Sequence, residues 1–171
     1  MHDVDVQTER RKRSIPCGPG GTIHDYVPFY FGPLSPMLLR LKTGKVEGYS
    51  EGQEPIIYLV SSLQTVQNAQ RSFVFSDGHG LATFTNWYFD EKDLDKVDWT
   101  VVGERYWADT IDDPDKQRRK QAEFLVHKFC PWEVIEEIGV LNQKIKSEAE
   151  RILSHHDKAI PVSIRSQWYY Y

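Results

Sequence analysis

Gln121-Ala122-Glu123-Phe124-Leu125-Val126 is the stretch on which the fold turns. Its aromatic and β-branched content predicts a strand. Period-2 geometry then puts Gln121, Glu123 and Leu125 on one face and Ala122, Phe124 and Val126 on the other. A carboxylate inside so apolar a segment has to be paired, hydrogen-bonded or functional, because burying it unsatisfied costs on the order of several kcal/mol. Two readings of Glu123 therefore stand on the residues alone: a salt bridge to one of the nearby arginines, or a functional carboxylate.

Downstream of this strand, Pro131-Trp132 turns the chain into a second one over residues 134–140, and Asn142 caps a charged helix that runs to Leu153. Its exposed face carries Lys144, Lys146, Glu148, Glu150 and Arg151, and the tail over 160–164 and 168–171 can add an edge strand. Upstream, residues 16–24 read as loop, and residues 26–31 as a strand in which Pro28 removes one ladder donor. Ser35 caps a helix with Pro36 at its first position, ending near Thr43-Gly44. The continuous apolar run of residues 56–60 predicts a strand covered on both faces, and Ser61 or Ser62 caps a helix through Gln70. Residues 72–75 form a short strand that ends in the turn-rich loop Ser76-Asp77-Gly78-His79-Gly80. Residues 87–107 are aromatic and acidic, with short helical pieces. The sum is one α+β domain spanning residues 1–171, with a mixed or antiparallel core sheet.

A chain of 171 residues and 20.0 kDa is long enough for one compact domain and short for two. No apolar run approaches the ~20 residues of a membrane span, and nothing directs export. The only cysteines, Cys17 and Cys130, fit neither a disulfide framework nor a zinc site, so a reducing cytoplasm and no metal are expected. A net charge of −4 argues against coating nucleic acid by bulk electrostatics. The charge is nonetheless uneven. Arg10-Arg11-Lys12-Arg13 and Lys116-Gln117-Arg118-Arg119-Lys120 are basic, while 90–98 and 109–115 are acidic. Such runs are either solvated surface or the flanks of an anionic ligand.

Several segments taken in order resemble one family. Asp25-Tyr26-Val27-Pro28-Phe29-Tyr30-Phe31, Ser35-Pro36-Met37-Leu38, Gly52-Gln53-Glu54-Pro55-Ile56, Phe75-Ser76-Asp77-Gly78-His79 and the Glu123 strand are similar to the DarT family of DNA ADP-ribosyltransferase toxins. The resemblance implies an ADP-ribosyltransferase fold that splits NAD and transfers ADP-ribose to thymidine in single-stranded DNA. It implies a toxin whose partner is a macrodomain antitoxin that removes the mark. The family's catalytic glutamate maps to Glu123. Departure of nicotinamide leaves positive charge on the ribose, which a carboxylate against the 2′-hydroxyl stabilises in the transition state. The same carboxylate is expected to help remove the acceptor's proton.

The resemblance further implies an arginine on the NAD phosphates. The repetitive basic run favours Arg11 without separating it from Arg10. Arg118 and Arg119, just before the catalytic strand, are expected to contact the DNA backbone, with Gln121 orienting the acceptor. His79 is either an acceptor-side residue or a surface histidine. Leu34 stands where the pattern has a basic residue, and the family's usual N-terminal segment with its Thr-His pair would precede Met1, so weakened NAD binding and activity are expected. The competing readings are a truncated, catalytically silent relative that only binds nucleic acid, and a transferase with a protein or RNA acceptor.

Overall fold

The computed structural model describes residues 4–156 and 159–171. Its helices are α1 (Val4–Lys12), α2 (Pro36–Lys42), α3 (Leu63–Asn68), α4 (Trp99–Gly103), α5 (Lys116–Lys120) and α6 (Gln143–Ser154). Its strands are β1 (Tyr26–Tyr30), β2 (Tyr58–Val60), β3 (Phe73–Ser76), β4 (Trp87–Tyr88), β5 (Glu123–His127), β6 (Glu137–Val140) and β7 (Val162–Ile164). The chain groups into two compact units, Met1–Ser35 with Gln70–Cys130, and Pro36–Ala69 with Pro131–Tyr171. The expected α+β class with antiparallel and mixed sheets is what the elements form.

In the first unit the sheet runs β1-β5-β3-β4, every pair antiparallel. β5 is central, so its two faces separate two packing environments. On one, Leu125 and Val74 are fully buried in a cluster with Ile15, Ile23 and Tyr26, against which Leu81 and Trp87 pack. On the other, Phe124 stacks on Phe73 at 5.0 Å, and Phe31 meets Phe124 and Phe75 edge-on at 6.0 and 6.1 Å. Glu123 lies on the Leu125 face, as its spacing predicts. The strand begins later than the apolar pattern suggests, however. Gln121 caps α5 at φ −97°, ψ 24° rather than extending β5, so it does not share a strand face with Glu123. The cause is local: the Gln121 N–H is taken by the Arg118 carbonyl at 3.1 Å and the Ala122 N–H by that of Arg119 at 3.1 Å, which prolongs helical geometry to the edge of the strand.

The second unit holds the sheet β2-β6-β7, with β2 antiparallel and β7 parallel to β6. A parallel neighbour needs a crossover, and α6 supplies it, capped by the Asn142 side chain accepting from the Ile145 N–H at 3.1 Å. Ile138, Val140, Val162 and Leu153 form this unit's core. Residues 56–60 are not covered on both faces. β2 is an edge strand that pairs with β6 alone, and Ile57 just before it and Leu59 within it are each 41% exposed, so one face of this segment stays open to solvent. Among the described residues no helix is long and apolar enough to cross a membrane.

Lys120 is the exception to its charged neighbours. It is 4% exposed, and its ammonium donates to the carbonyls of Val102 at 2.6 Å and Glu104 at 2.8 Å. It thereby straps the end of α4 to the helix that leads into β5. Burial pushes its pKa down to about 8 from 10.5, against the opposing pull of Glu104. Between those two values the unfolded chain binds the proton more tightly than the folded one, so this group makes stability rise with pH across that window. Urea melts from about pH 7 to 10 are expected to show the wild type gaining stability relative to Lys120→Met as pH increases. Parallel pH curves would contradict that assignment.

Candidate active site around Glu123

Glu123 opens β5 with 3% of its surface exposed. Its own N–H donates to the Ser76 hydroxyl at 3.1 Å, and that hydroxyl donates to the Gly78 carbonyl at 2.7 Å. The carboxylate is satisfied from elsewhere. Arg10 Nη1 and Nη2 both reach Oε2 at 2.9 Å, with Nη1 at 3.3 Å from Oε1, and the Gly80 N–H donates to Oε1 at 3.1 Å. Both partners of this ion pair are shielded, with side-chain exposures of 12% for Arg10 and 4% for Glu123. Gly80 lets the loop approach closely: a Cβ there would lie 3.1 Å from Glu123 Oε1, 3.1 Å from Ile23 and 3.3 Å from Trp87.

The loop of residues 77–86 that joins β3 to β4 therefore forms one wall of the site, and His79 stands beside Gly80 in it. The His79 Nδ1 accepts from the Leu81 N–H at 3.3 Å, which places the proton of the neutral ring on Nε2. Burial lowers the imidazole below its ordinary 6.5, the Glu123 charge opposing and the Arg10 charge adding to the shift. A neutral histidine beside a buried carboxylate is thus the resting arrangement near pH 7. Across the strand pair, Tyr30 is the direct register partner of Glu123. Burial of its phenol, then the Glu123 charge, push the hydroxyl up to about 12, although 38% of the residue reaches solvent.

The two basic runs behave differently from each other. From the first, Arg10 enters the site. Arg13 donates from Nη2 to the Leu81 and Ala82 carbonyls at 2.9 and 2.8 Å and so staples the loop. Arg11 is exposed on α1. From the second run, Arg118 holds Asp115 through Nε at 2.7 Å and Nη2 at 2.8 Å, and Asp77 through Nη1 at 2.8 Å. Its carbonyl takes the His79 N–H at 2.9 Å. Gly78 leaves room for this, since a Cβ would lie 2.3 Å from Arg118 Nη1. Arg119 is likewise paired with Asp98 and Asp113, while the Gln121 side chain turns back to the Gln117 carbonyl at 3.1 Å. Arg118 and Arg119 are therefore carboxylate-bound rather than open cations, and Arg118 braces the turn that presents His79.

The structure brings Glu123, Arg10 and His79 together, whereas the sequence favoured Arg11 over Arg10 and left His79 as either an acceptor-side or a surface residue. The sequence reading did not find the Gly80 amide, Tyr30, Ser76 or the Arg13 staple. The Gly78-His79-Gly80 spacing carried a signal for the amide, since two glycines around a polar residue mark a close backbone approach. Among the described residues no group of three or more His, Cys, Asp or Glu could hold a metal ion.

The chain is similar to known proteins along most of its length. The family model described as ssDNA thymidine ADP-ribosyltransferase, DarT, matches residues 1–170, across both compact units. A protein of Thermus sp. (strain 2.9) described as a DNA ADP-ribosyl transferase is 44% identical over 167 residues, 96% of this chain and 78% of that protein. The solved Thermus sp. 2.9 DarT in complex with ADP-ribosylated ssDNA superposes with a TM-score of 0.93 at 42% identity, covering 99% of this chain and 80% of that one. Its complex with NAD+ gives 0.89 at 43% identity, covering 95% and 81%.

Removing one partner of a shielded ion pair strands the other charge. Arg10→Met is accordingly expected to destabilise the protein by about 3–5 kcal/mol, and the double variant Arg10→Met/Glu123→Gln to recover most of that loss. Urea melts of the four proteins check this, and a double variant no more stable than Arg10→Met would show that the two groups are uncoupled.

Proposed function

The chain belongs to the DarT family of single-stranded DNA thymidine ADP-ribosyltransferases, and on that premise we propose that Glu123 is its catalytic carboxylate. As a member of this family the protein is a transferase that takes ADP-ribose from NAD+ to DNA. The observation that carries the residue assignment is the Glu123 carboxylate, 3% exposed, fixed by the Arg10 guanidinium and the Gly80 amide at the mouth of a loop that also presents His79.

This donor set suits NAD+ as a substrate. The dinucleotide supplies an activated ribose whose bond to nicotinamide breaks with the electron pair leaving on nicotinamide. Glu123, oriented by Arg10 and Gly80, takes the position against the ribose 2′-hydroxyl and stabilises the positive charge that develops on the ribose. Arg10 and Arg11 are the proposed phosphate partners, with Arg10 favoured because it alone of the two lies in the site. The new bond forms from the thymine base, whose proton passes to Glu123 as the general base. A neutral His79 with its proton on Nε2 donates to the acceptor base. Arg118 is read as a positioning residue for that loop, and Arg119 and Gln121 as residues of the acceptor side.

The proposal extends to a toxin held in check by a macrodomain antitoxin, and to one functional domain over residues 1–171. It places the reaction in the cytoplasm.

Incubating the protein with NAD+ and paired oligonucleotides that contain or lack thymidine, then weighing the products, tests the acceptor. Mass is expected to be gained only by the thymidine-containing strand and only with NAD+ present. Labelling of protein or RNA, with both oligonucleotides unmarked, would replace the DNA acceptor.

A further inference from the structure

The loop between β3 and β4 ends in a residue that neither the fold nor the reaction accounts for. Phe84 is 83% exposed. A lone exposed phenylalanine is ordinary on a protein surface, and on a frayed loop it would carry no argument. This loop is held at every level. At its neck the Asp77 N–H donates to the Asn86 carbonyl at 3.3 Å. Asn86 in turn donates to the Asp77 carboxylate from its backbone at 3.0 Å and its side chain at 2.8 Å. In its middle the Thr85 hydroxyl and the Ala82 N–H both reach the His79 carbonyl, at 2.7 and 2.9 Å. Arg13 clamps the Leu81 and Ala82 carbonyls, and the Leu81 side chain packs against the buried core.

Phe84 is thus an apolar ring on a rigid mount, and the mount is bonded to the reactive group. The Gly80 amide touches Glu123, and the neighbouring His79 carbonyl touches Thr85, next to Phe84. Standard bond lengths through those contacts keep the Phe84 Cα within about 14 Å of the carboxylate. That is the zone in which nucleotides adjoining the reacting one must lie. Since the ordering cost of the loop is met before any ligand arrives, a base landing on the ring keeps most of its stacking energy.

We propose that Phe84 is a stacking platform for an unpaired nucleobase adjacent to the reacting thymine of the single-stranded DNA acceptor. The inference rests on the DNA acceptor proposed above. Stacking is tolerant of base identity because every base has a π-face, so Phe84 contributes grip and register on the strand while the choice of thymine is made at the Glu123 centre.

The test is equilibrium binding of a fluorescent thymidine-containing single strand to the full protein, with melting temperatures recorded to confirm that each variant is folded. Phe84→Ala is expected to weaken binding by about tenfold or more, and Phe84→Trp to stay within about twofold of wild type. Phe84→Leu keeps the apolar character without the π-face and is expected to bind as weakly as Phe84→Ala. An abasic site at one flanking position should cost the wild type the same factor and cost Phe84→Ala nothing further. Wild-type affinity in Phe84→Ala, or full affinity in Phe84→Leu, would overturn the stacking role. A wild type that binds no single strand at all would instead remove the DNA acceptor, and the platform with it.

Discussion

A carboxylate at 3% exposure on the first residue of a central strand must be satisfied by donors that its own sheet cannot provide. The ladder partners of β5 are spent on backbone pairing, and the face around Leu125, Ile23 and Trp87 is apolar. The donors come instead from α1, through Arg10, and from the loop after β3, through the Gly80 amide. That single requirement fixes the local architecture. It places the end of α1 over the start of β5 and brings the loop against the sheet, leaving little room for a side chain at Gly80, where loop and carboxylate meet. The arrangement is one in which a charge is kept within a low-dielectric setting by preorganised partners, which is how an active site makes electrostatics count.

The remaining charges support this centre. Arg13 and Arg118 grip the loop at different points, one through the carbonyls of Leu81 and Ala82, the other through Asp77 and the His79 amide. Lys120 ties the α4 end to the helix that feeds β5. Basic residues that look alike in sequence are thus divided between a carboxylate partner, loop clamps and a buried strap. Only Arg10 among them reaches the carboxylate, and its guanidinium is the group best suited to exchange between a carboxylate and a phosphate, both of which it recognises through paired N–H donors.

Local signals were legible where local physics decides. The Asn142 cap, a serine cap at 61 or 62 that falls to Ser62, the Pro36 helix start and the buried strand carrying Glu123 all follow from neighbours a few residues away. The Arg10–Glu123 pair spans 113 residues of sequence, so either arginine of the run fitted equally well until α1 assigned their faces. Of the partners of the run of residues 116–120, Asp113 and Asp115 are sequence neighbours, but Asp77 and Asp98 lie far upstream, beyond what local spacing registers. Gln121 was placed on the strand since periodicity does not register one further turn of helix, and the apolar stretch of residues 56–60 was placed between two layers since periodicity alone does not tell an edge from a centre.

In the proposed reaction Glu123 acts on the transition state and not on the binding of NAD+. Measuring both quantities on Glu123→Gln tests it most directly: the dissociation constant for NAD+ by calorimetry, and the single-turnover rate of ADP-ribose transfer to a thymidine-containing strand. NAD+ affinity is expected within a few-fold of wild type, with transfer slowed by at least about a hundredfold, a loss of roughly 2.7 kcal/mol or more of transition-state stabilisation. Transfer at the wild-type rate, or a loss explained entirely by weaker NAD+ binding, would contradict it.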